Sequence, residues 1–163
     1  MRIIAGSHRG KKLIEYYSPN TRPTTDRVKE NVFNLLSNYL DMNGVRVLDL
    51  FAGTGAYGIE CLSRGAGYVH FNDYDAKAVA VIKKNLAQIW HNYCVTSKDY
   101  LSVLSADYDL IFLDPPYESD FGKRAIDAIK KGLIVFETDQ QFEHPQIIAS
   151  RRYGRAWIYL IQK

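Results

Sequence analysis

The sequence predicts an α/β fold, a mostly parallel twisted sheet with helices on both faces and an antiparallel strand at the C-terminal edge. Two observations carry this expectation. From Val45 onward, short apolar runs alternate with stretches of helical periodicity, the pattern of strand–helix–strand units. The last two apolar runs have no helix between them, so they can pair antiparallel at an edge.

Taken in order, Arg2–Ala5 reads as a short strand, followed by a loop punctuated by Gly6, Gly10, Pro19 and Pro23. Thr24 or Thr25 can cap a helix over Asp26–Tyr39, whose Val28, Val32, Phe33, Leu35 and Leu36 form an apolar face. Strands are expected at Arg46–Leu50, Tyr68–Asn72, Tyr93–Ser97, Tyr108–Leu113 and Leu133–Glu137. Helices are expected at Ala56–Arg64, Ala76–Gln88, Leu101–Ser105 and Phe121–Lys131, and Ile147–Ser150 and Arg155–Ile161 form the tail strands.

With 163 residues, 47% of them hydrophobic and 24% charged, the chain suits a single domain over residues 1–163. Its apolar runs, such as Leu110–Leu113, are too short to cross a bilayer, and no secretory leader is evident, so the cytoplasm is the expected compartment. Cys61 and Cys94 sit in apolar patterns and read as buried reduced thiols rather than ligands or a disulfide. The net charge of +3 is modest but unevenly spread. Arg2, Arg9, Lys11, Lys12, Arg22, Arg27 and Lys29 face only Glu15, Asp26 and Glu30, which marks residues 1–25 as a basic extension suited to phosphates. Arg151, Arg152 and Arg155 form a second cluster.

Two motifs carry chemistry. In Val47-Leu48-Asp49-Leu50-Phe51-Ala52-Gly53-Thr54-Gly55-Ala56-Tyr57-Gly58, a buried strand ends in an acid and enters a turn where Gly53 and Gly55 admit a ligand close to the backbone. Gly53, Gly55 and Gly58, with Asp73 further on, also fit a dinucleotide fingerprint. Asp49 argues against that reading: it would repel a pyrophosphate but suits the ammonium of S-adenosylmethionine. Asp73 can then accept from both ribose hydroxyls. Asp99 can accept from the adenine amine, with Tyr100 and Leu101 as an apolar wall. Phe51 and Tyr74 complete the expected cofactor contacts, and Asp75 reads as a helix cap.

The second motif is Asp114-Pro115-Pro116-Tyr117, at the end of the apolar run Tyr108–Leu113. Two ring-locked residues between an acid and an aromatic make a rigid shelf at the sheet edge where ligands bind. An exocyclic base amine is a poor nucleophile because its lone pair is delocalised. The Asp114 carboxylate and the Pro115 carbonyl can accept its two N–H bonds and draw the nitrogen toward tetrahedral geometry, aimed at a methyl donor. Tyr117 can stack on the base, and Asp114 or water can take the proton. No metal is required.

Together these motifs resemble class I, Rossmann-like methyltransferases acting on amino groups. Three further segments narrow the resemblance to the RsmD family: Arg2-Ile3-Ile4-Ala5-Gly6, Arg9-Gly10-Lys11-Lys12-Leu13, and Arg22-Pro23-Thr24-Thr25-Asp26-Arg27-Val28-Lys29-Glu30. The resemblance implies methylation of a guanine N2, position 966 in bacterial 16S rRNA, with the small ribosomal subunit or an assembly intermediate as partner. It implies roles on the RNA and catalytic face for Arg22, Thr24, Thr25, Asp26 and Arg27, alongside the basic Arg2, Arg9 and Lys11. A monomer is expected. Asp73 stands where the family usually has Glu, and the stretches from Asn85 to Asp99 and from Tyr117 to Leu133 look shorter than usual. Adenine-N6 methylation of DNA, a non-catalytic RNA-binding module with a vestigial cofactor pocket, and a nicotinamide oxidoreductase are the competing readings.

Overall fold

A computed structural model describes residues 1–16, 25–87, 89, 92–116 and 119–163. Seven strands form one sheet: β1 (Arg46–Asp49), β2 (Tyr68–Asn72), β3 (Tyr93–Thr96), β4 (Leu110–Leu113), β5 (Leu133–Thr138), β6 (Ile147–Tyr153) and β7 (Ala156–Gln162). Their spatial order is β3-β2-β1-β4-β5-β7-β6. The first five are parallel, whereas β7 runs antiparallel to both β5 and β6. The antiparallel feature is thus a terminal hairpin whose second strand is inserted beside β5. The chain starts at β1, builds outward through β2 and β3, then returns to β4 on the other side of β1. That reversal opens a crevice above the carboxyl ends of β1 and β4.

Among the described residues, four α-helices, α1 (Asp26–Leu36), α2 (Ala56–Ser63), α3 (Ala76–Leu86) and α4 (Phe121–Ala128), and a short 3-10 turn at Tyr100–Val103 cover the sheet. Strand alternation sorts the core into two layers. Val47, Val69, Phe71, Leu110, Phe112 and Val135 meet α1, α2 and α3, while Leu48, Ile111, Leu113, Ile134 and Phe136 meet the 3-10 turn and α4. All eight residues of α2 are buried, because the amino-terminal segment lies on its outer side.

That segment departs from expectation. Arg2–Ala5 makes only a single antiparallel bridge, Arg2 to Lys12, rather than a strand. Gly6 and Gly10, both at positive φ, turn the chain back, and Ile3 N–H to Lys11, Gly10 N–H to Ile3 and Leu13 N–H to Met1 pair across it. Its anchors are polar and buried. Glu60 accepts from the Ile4 and Ala5 N–H groups at 2.8 and 3.0 Å and pairs with Arg64 at 2.8 Å and Lys29 at 3.3 Å. Lys29, fully buried, donates to the Arg2 carbonyl at 2.7 Å. Burial pulls the Lys29 ammonium below its usual range, and Glu60 opposes that shift.

Other differences are local. The helix expected at Leu101–Ser105 is the 3-10 turn, started by Asp99, which accepts from Leu101 N–H at 3.0 Å. Strand β4 begins at Leu110, and Asp109 just before it accepts from Arg46 N–H at its carboxylate. Cys61 is buried but Cys94 is only half-buried, since β3 is an edge strand. Among the described residues no helix is long and apolar enough to cross a membrane.

Candidate active site

The crevice above β1 and β4 deepens into a cavity of about 640 Å³, within the range of cofactor pockets. Asp49, the last residue of β1, forms its floor. One carboxylate oxygen accepts from Gly58 N–H at 2.9 Å, and the other takes no hydrogen bond from a described residue. Burial pushes the Asp49 carboxyl up to about 7. The Gly58 N–H opposes the shift, and the nearby Asp73 charge adds to it.

The glycine loop follows. Gly53 has φ 54° and donates to Asp73 at 2.8 Å, and a side chain there would meet nothing within 4 Å, so its open side faces the cavity. Gly55, at φ 78°, caps α2 without lining the cavity. Gly58 serves packing instead: a Cβ there would come within 2.3 Å of the Phe71 ring. Asp73 also accepts from Asp75 N–H at 2.8 Å, which fixes the plane of its carboxylate. Burial raises its carboxyl, against those two N–H groups. Asp75 caps α3 through Lys77 N–H.

Phe51, Tyr74, Asp99 and Tyr100 line the same cavity, as do Asp114, Pro115 and Pro116. Tyr74 is 85% exposed and stands at the mouth. Phe51, Tyr100 and Phe121 pack ring against ring, with centroids 5.2 to 6.5 Å apart, into one apolar wall. The buried Tyr100 hydroxyl lacks a hydrogen-bond partner among the described residues. Asp114 leaves β4 on the Asp49 side of the sheet. Its carboxyl is driven well above the usual range by burial first, then by the charges of Glu137 and Asp49. Tyr117 lies outside the described residues.

Among the described residues, six acidic side chains line this cavity (Glu15, Asp49, Asp73, Asp75, Asp99 and Asp114) against the cationic side chains of Lys98 and Arg124. A pyrophosphate would be repelled there. A zwitterion with an added sulfonium charge fits, with Asp49 available to its ammonium and Asp73 to its hydroxyls.

The family described as Conserved hypothetical protein 95 matches residues 1–162. Ribosomal RNA small subunit methyltransferase D of Escherichia coli (strain K12) is 36% identical over 161 residues, 92% of this chain and 80% of that protein. The chain belongs to the RsmD family. It is also similar to YlbH of Bacillus subtilis (strain 168), at 39% identity over 91% of this chain and 88% of that protein. The solved structure of yhhF from Escherichia coli superposes with a TM-score of 0.85 at 30% identity, covering 100% of this chain and 97% of that one.

In this RsmD-family chain the expected RNA-facing residues that are described, Arg2, Arg9, Lys11, Thr25, Asp26 and Arg27, do not line the cavity. Arg2 is exposed, and its backbone N–H and guanidinium both engage Asp26, at 3.0 and 3.5 Å. Thr25 accepts from Val28 N–H and caps α1. Thr25 is thus the helix cap that the sequence predicts, while the hold of Asp26 on Arg2 is a contact the motif alone did not reveal. Arg9 and Arg27 are exposed and Lys11 is half-buried, whereas Arg22 and Thr24 lie outside the described residues.

Several site residues escaped the sequence reading. Glu15 and Tyr16 line the cavity, and the Tyr16 hydroxyl donates to Asp75 at 2.5 Å. Asn85 holds this stretch in place: it accepts from Ile14 N–H at 2.7 Å and donates to the carbonyls of Ile14 and Thr54 at 3.1 and 3.0 Å. One amide thus ties the amino-terminal segment to the glycine loop. Asn72, buried at the end of β2, donates to Leu50 and Lys98 carbonyls and positions the loop bearing Asp99. Tyr57 and Glu137 are joined by a 2.8 Å hydrogen bond beside Asp114. For Glu137 a signal was available: like Asp49 and Asp114, it is an acid closing an apolar strand run.

Proposed function

We propose that this chain methylates the exocyclic N2 amine of a guanine in 16S rRNA, the family's position 966, in the small ribosomal subunit or an assembly intermediate. The coarser statement follows from family membership: the methylated molecule is rRNA and the donor is S-adenosylmethionine. The donor supplies an electrophilic methyl on a sulfonium.

Asp49 would hold the ammonium end, Asp73 the ribose hydroxyls and Asp99 the adenine amine, with the Phe51–Tyr100–Phe121 wall beside the ring. The observation that carries the reading is Asp114, a carboxylate in the same cavity as Asp49, at the end of the neighbouring strand. Asp114 and the Pro115 carbonyl accept the two N–H bonds of the amine and orient its lone pair toward the methyl. Burial raises the Asp114 carboxyl, which makes it a stronger base than an ordinary carboxylate for taking the amine's proton. Tyr117 stacks on the base. The base must leave its stack to reach Asp114, and Arg2, Arg9, Lys11, Arg22 and Arg27 supply phosphate contacts around it.

Small subunits, free 16S rRNA and duplex DNA, each offered with methyl-labelled S-adenosylmethionine, test this. Label is expected on N2 of one guanine in the rRNA, with Asp114→Ala slowing transfer by about a hundredfold or more while cofactor affinity is kept. Label only in DNA, or on another atom of the rRNA, refutes the proposal.

A further inference from the structure

The carboxyl-terminal hairpin carries a block of positive charge to which methyl transfer gives no task. Residues 144–163 hold Arg151, Arg152, Arg155 and Lys163 and no acid. β6 is the last strand of the sheet, and an edge strand needs some charge to deter pairing with another chain. Charge of either sign would do that, so edge protection leaves the single sign unexplained.

Strand register places this charge near the site. Leu113 of β4 pairs with Phe136 of the parallel β5, and Phe136 pairs with Tyr159 of β7. Thr138, at the carboxyl end of β5, pairs with Trp157, and the β6–β7 turn at Gly154 and Arg155 follows just beyond Ala156. The hairpin tip therefore leaves the sheet at the same edge as Asp114 and Pro115. β7 is two strands from β4 and β6 is three. At about 4.8 Å per strand, the tip stands roughly 10–14 Å to the side of the reacting carboxylate.

Arg151 shares a face with its partner Ile158, Arg152 with its partner Trp157, and Arg155 sits in the turn, so charge covers both faces and the end of the tip. All three are exposed, and none makes an ion pair with a described residue. Local contacts hold two of the guanidinium groups. Arg152 stands over the Trp157 ring, 5.4 Å from its centroid, and donates from Nε to the Gly154 carbonyl at 3.1 Å. Trp157 is itself stacked on Tyr159, with planes 11° apart. Arg151 donates to the Ser150 carbonyl at 2.8 Å. Each guanidinium thus gives one N–H to its own strand and keeps a fork that matches phosphate oxygens.

We propose that the β6–β7 tip is a second RNA-backbone contact, in which Arg151, Arg152 and Arg155 hold phosphates of the rRNA strand beside the target nucleotide. The inference rests on rRNA as the substrate, and not on which base is methylated. The amino-terminal segment reaches the cavity from the β2 side, where Tyr16 bonds to Asp75. The hairpin stands on the opposite side, beyond β5. A strand held on both sides of Asp114 has its backbone fixed while the base between leaves its stack.

Equilibrium binding of free 16S rRNA and of small subunits, measured without cofactor over a range of salt, tests this. For single-stranded RNA each phosphate contact contributes about 0.7 to the slope of log affinity against log salt. Arg152→Gln combined with Arg155→Gln should therefore flatten the slope by about 1.4 and weaken binding by about tenfold or more, with affinity for S-adenosylmethionine within about twofold of wild type. Arg152→Lys with Arg155→Lys keeps the charge and should keep the slope. Arg155→Gln alone changes only the exposed turn and should flatten the slope by about 0.7, which serves even if loss of Arg152 disturbs Trp157. These measurements read binding rather than methyl transfer, so their outcome is independent of the guanine-N2 reading. An unchanged slope in the Arg155 variant overturns the assignment. Weaker binding to small subunits with unchanged binding to free rRNA also overturns it, because the tip would then meet a ribosomal protein.

Discussion

Replacing Asp49 by Asn removes a charge that the folded protein holds at a cost. Burial raises this carboxyl from 3.8 to about 7, a difference of roughly 4 kcal/mol between its two protonation states. The sign follows from proton binding. Between these two values the folded chain keeps the proton that the unfolded chain has lost, so folding becomes less favourable as pH rises, by about 1.4 kcal/mol per pH unit from this group. Without cofactor, the wild-type protein should therefore lose about 2–3 kcal/mol more stability between pH 5 and pH 7 than Asp49→Asn does. Urea unfolding of both proteins at several pH values measures the difference. The same proton opposes the cofactor. At pH 6 only about a tenth of the molecules carry the carboxylate that would hold an ammonium, so affinity for S-adenosylmethionine should be roughly tenfold weaker than at pH 7.5. In the Asn variant affinity should be weak and flat across that range. Parallel stability curves for the two proteins would refute the burial argument, and pH-independent binding by the wild type would refute Asp49 as the ammonium site.

Two further substitutions probe the scaffold of the cavity. Gly58→Ala improves helix propensity but drives a Cβ to within 2.3 Å of the fully buried Phe71 ring. Overpacking should win, with a net loss of about 1–3 kcal/mol in urea unfolding, and a gain in stability would show that the ring can yield. Asn85→Ala deletes three hydrogen bonds at a buried position, which should cost about 2–3 kcal/mol, loosen the Ile14 amide to hydrogen exchange and weaken cofactor affinity. Unchanged protection at Ile14 would mean that the segment is held by its other anchors.

The terms written into single elements were legible in the sequence. The apolar runs are strands because their alternation buries them on two sides, and their order along the chain dictates a largely parallel sheet. Thr25 and Asp75 start helices because each is a short side chain that can accept from a backbone N–H two or three residues ahead. Asp49 and Asp114 stood out because an acid ending an apolar strand lies at the sheet edge where ligands bind. The amino-terminal segment was misread as a strand because its pairing is decided by partners far along the chain. Glu60, Ser63 and Asn85 take its backbone groups, and none of them is marked by local pattern.

Read from sequence, the glycine loop and the Asp114 turn mark where a cofactor and an amine are expected to meet. They did not establish which base brings the amine, because guanine and adenine offer the same N–H pair to Asp114. The pairing of β4 with β5 stands Glu137 beside Asp114, where Tyr57 hydrogen-bonds to it. Periodicity and turn chemistry act over a few residues, whereas that arrangement joins Tyr57, Asp114 and Glu137 across the sheet and exists only once the strands are in register.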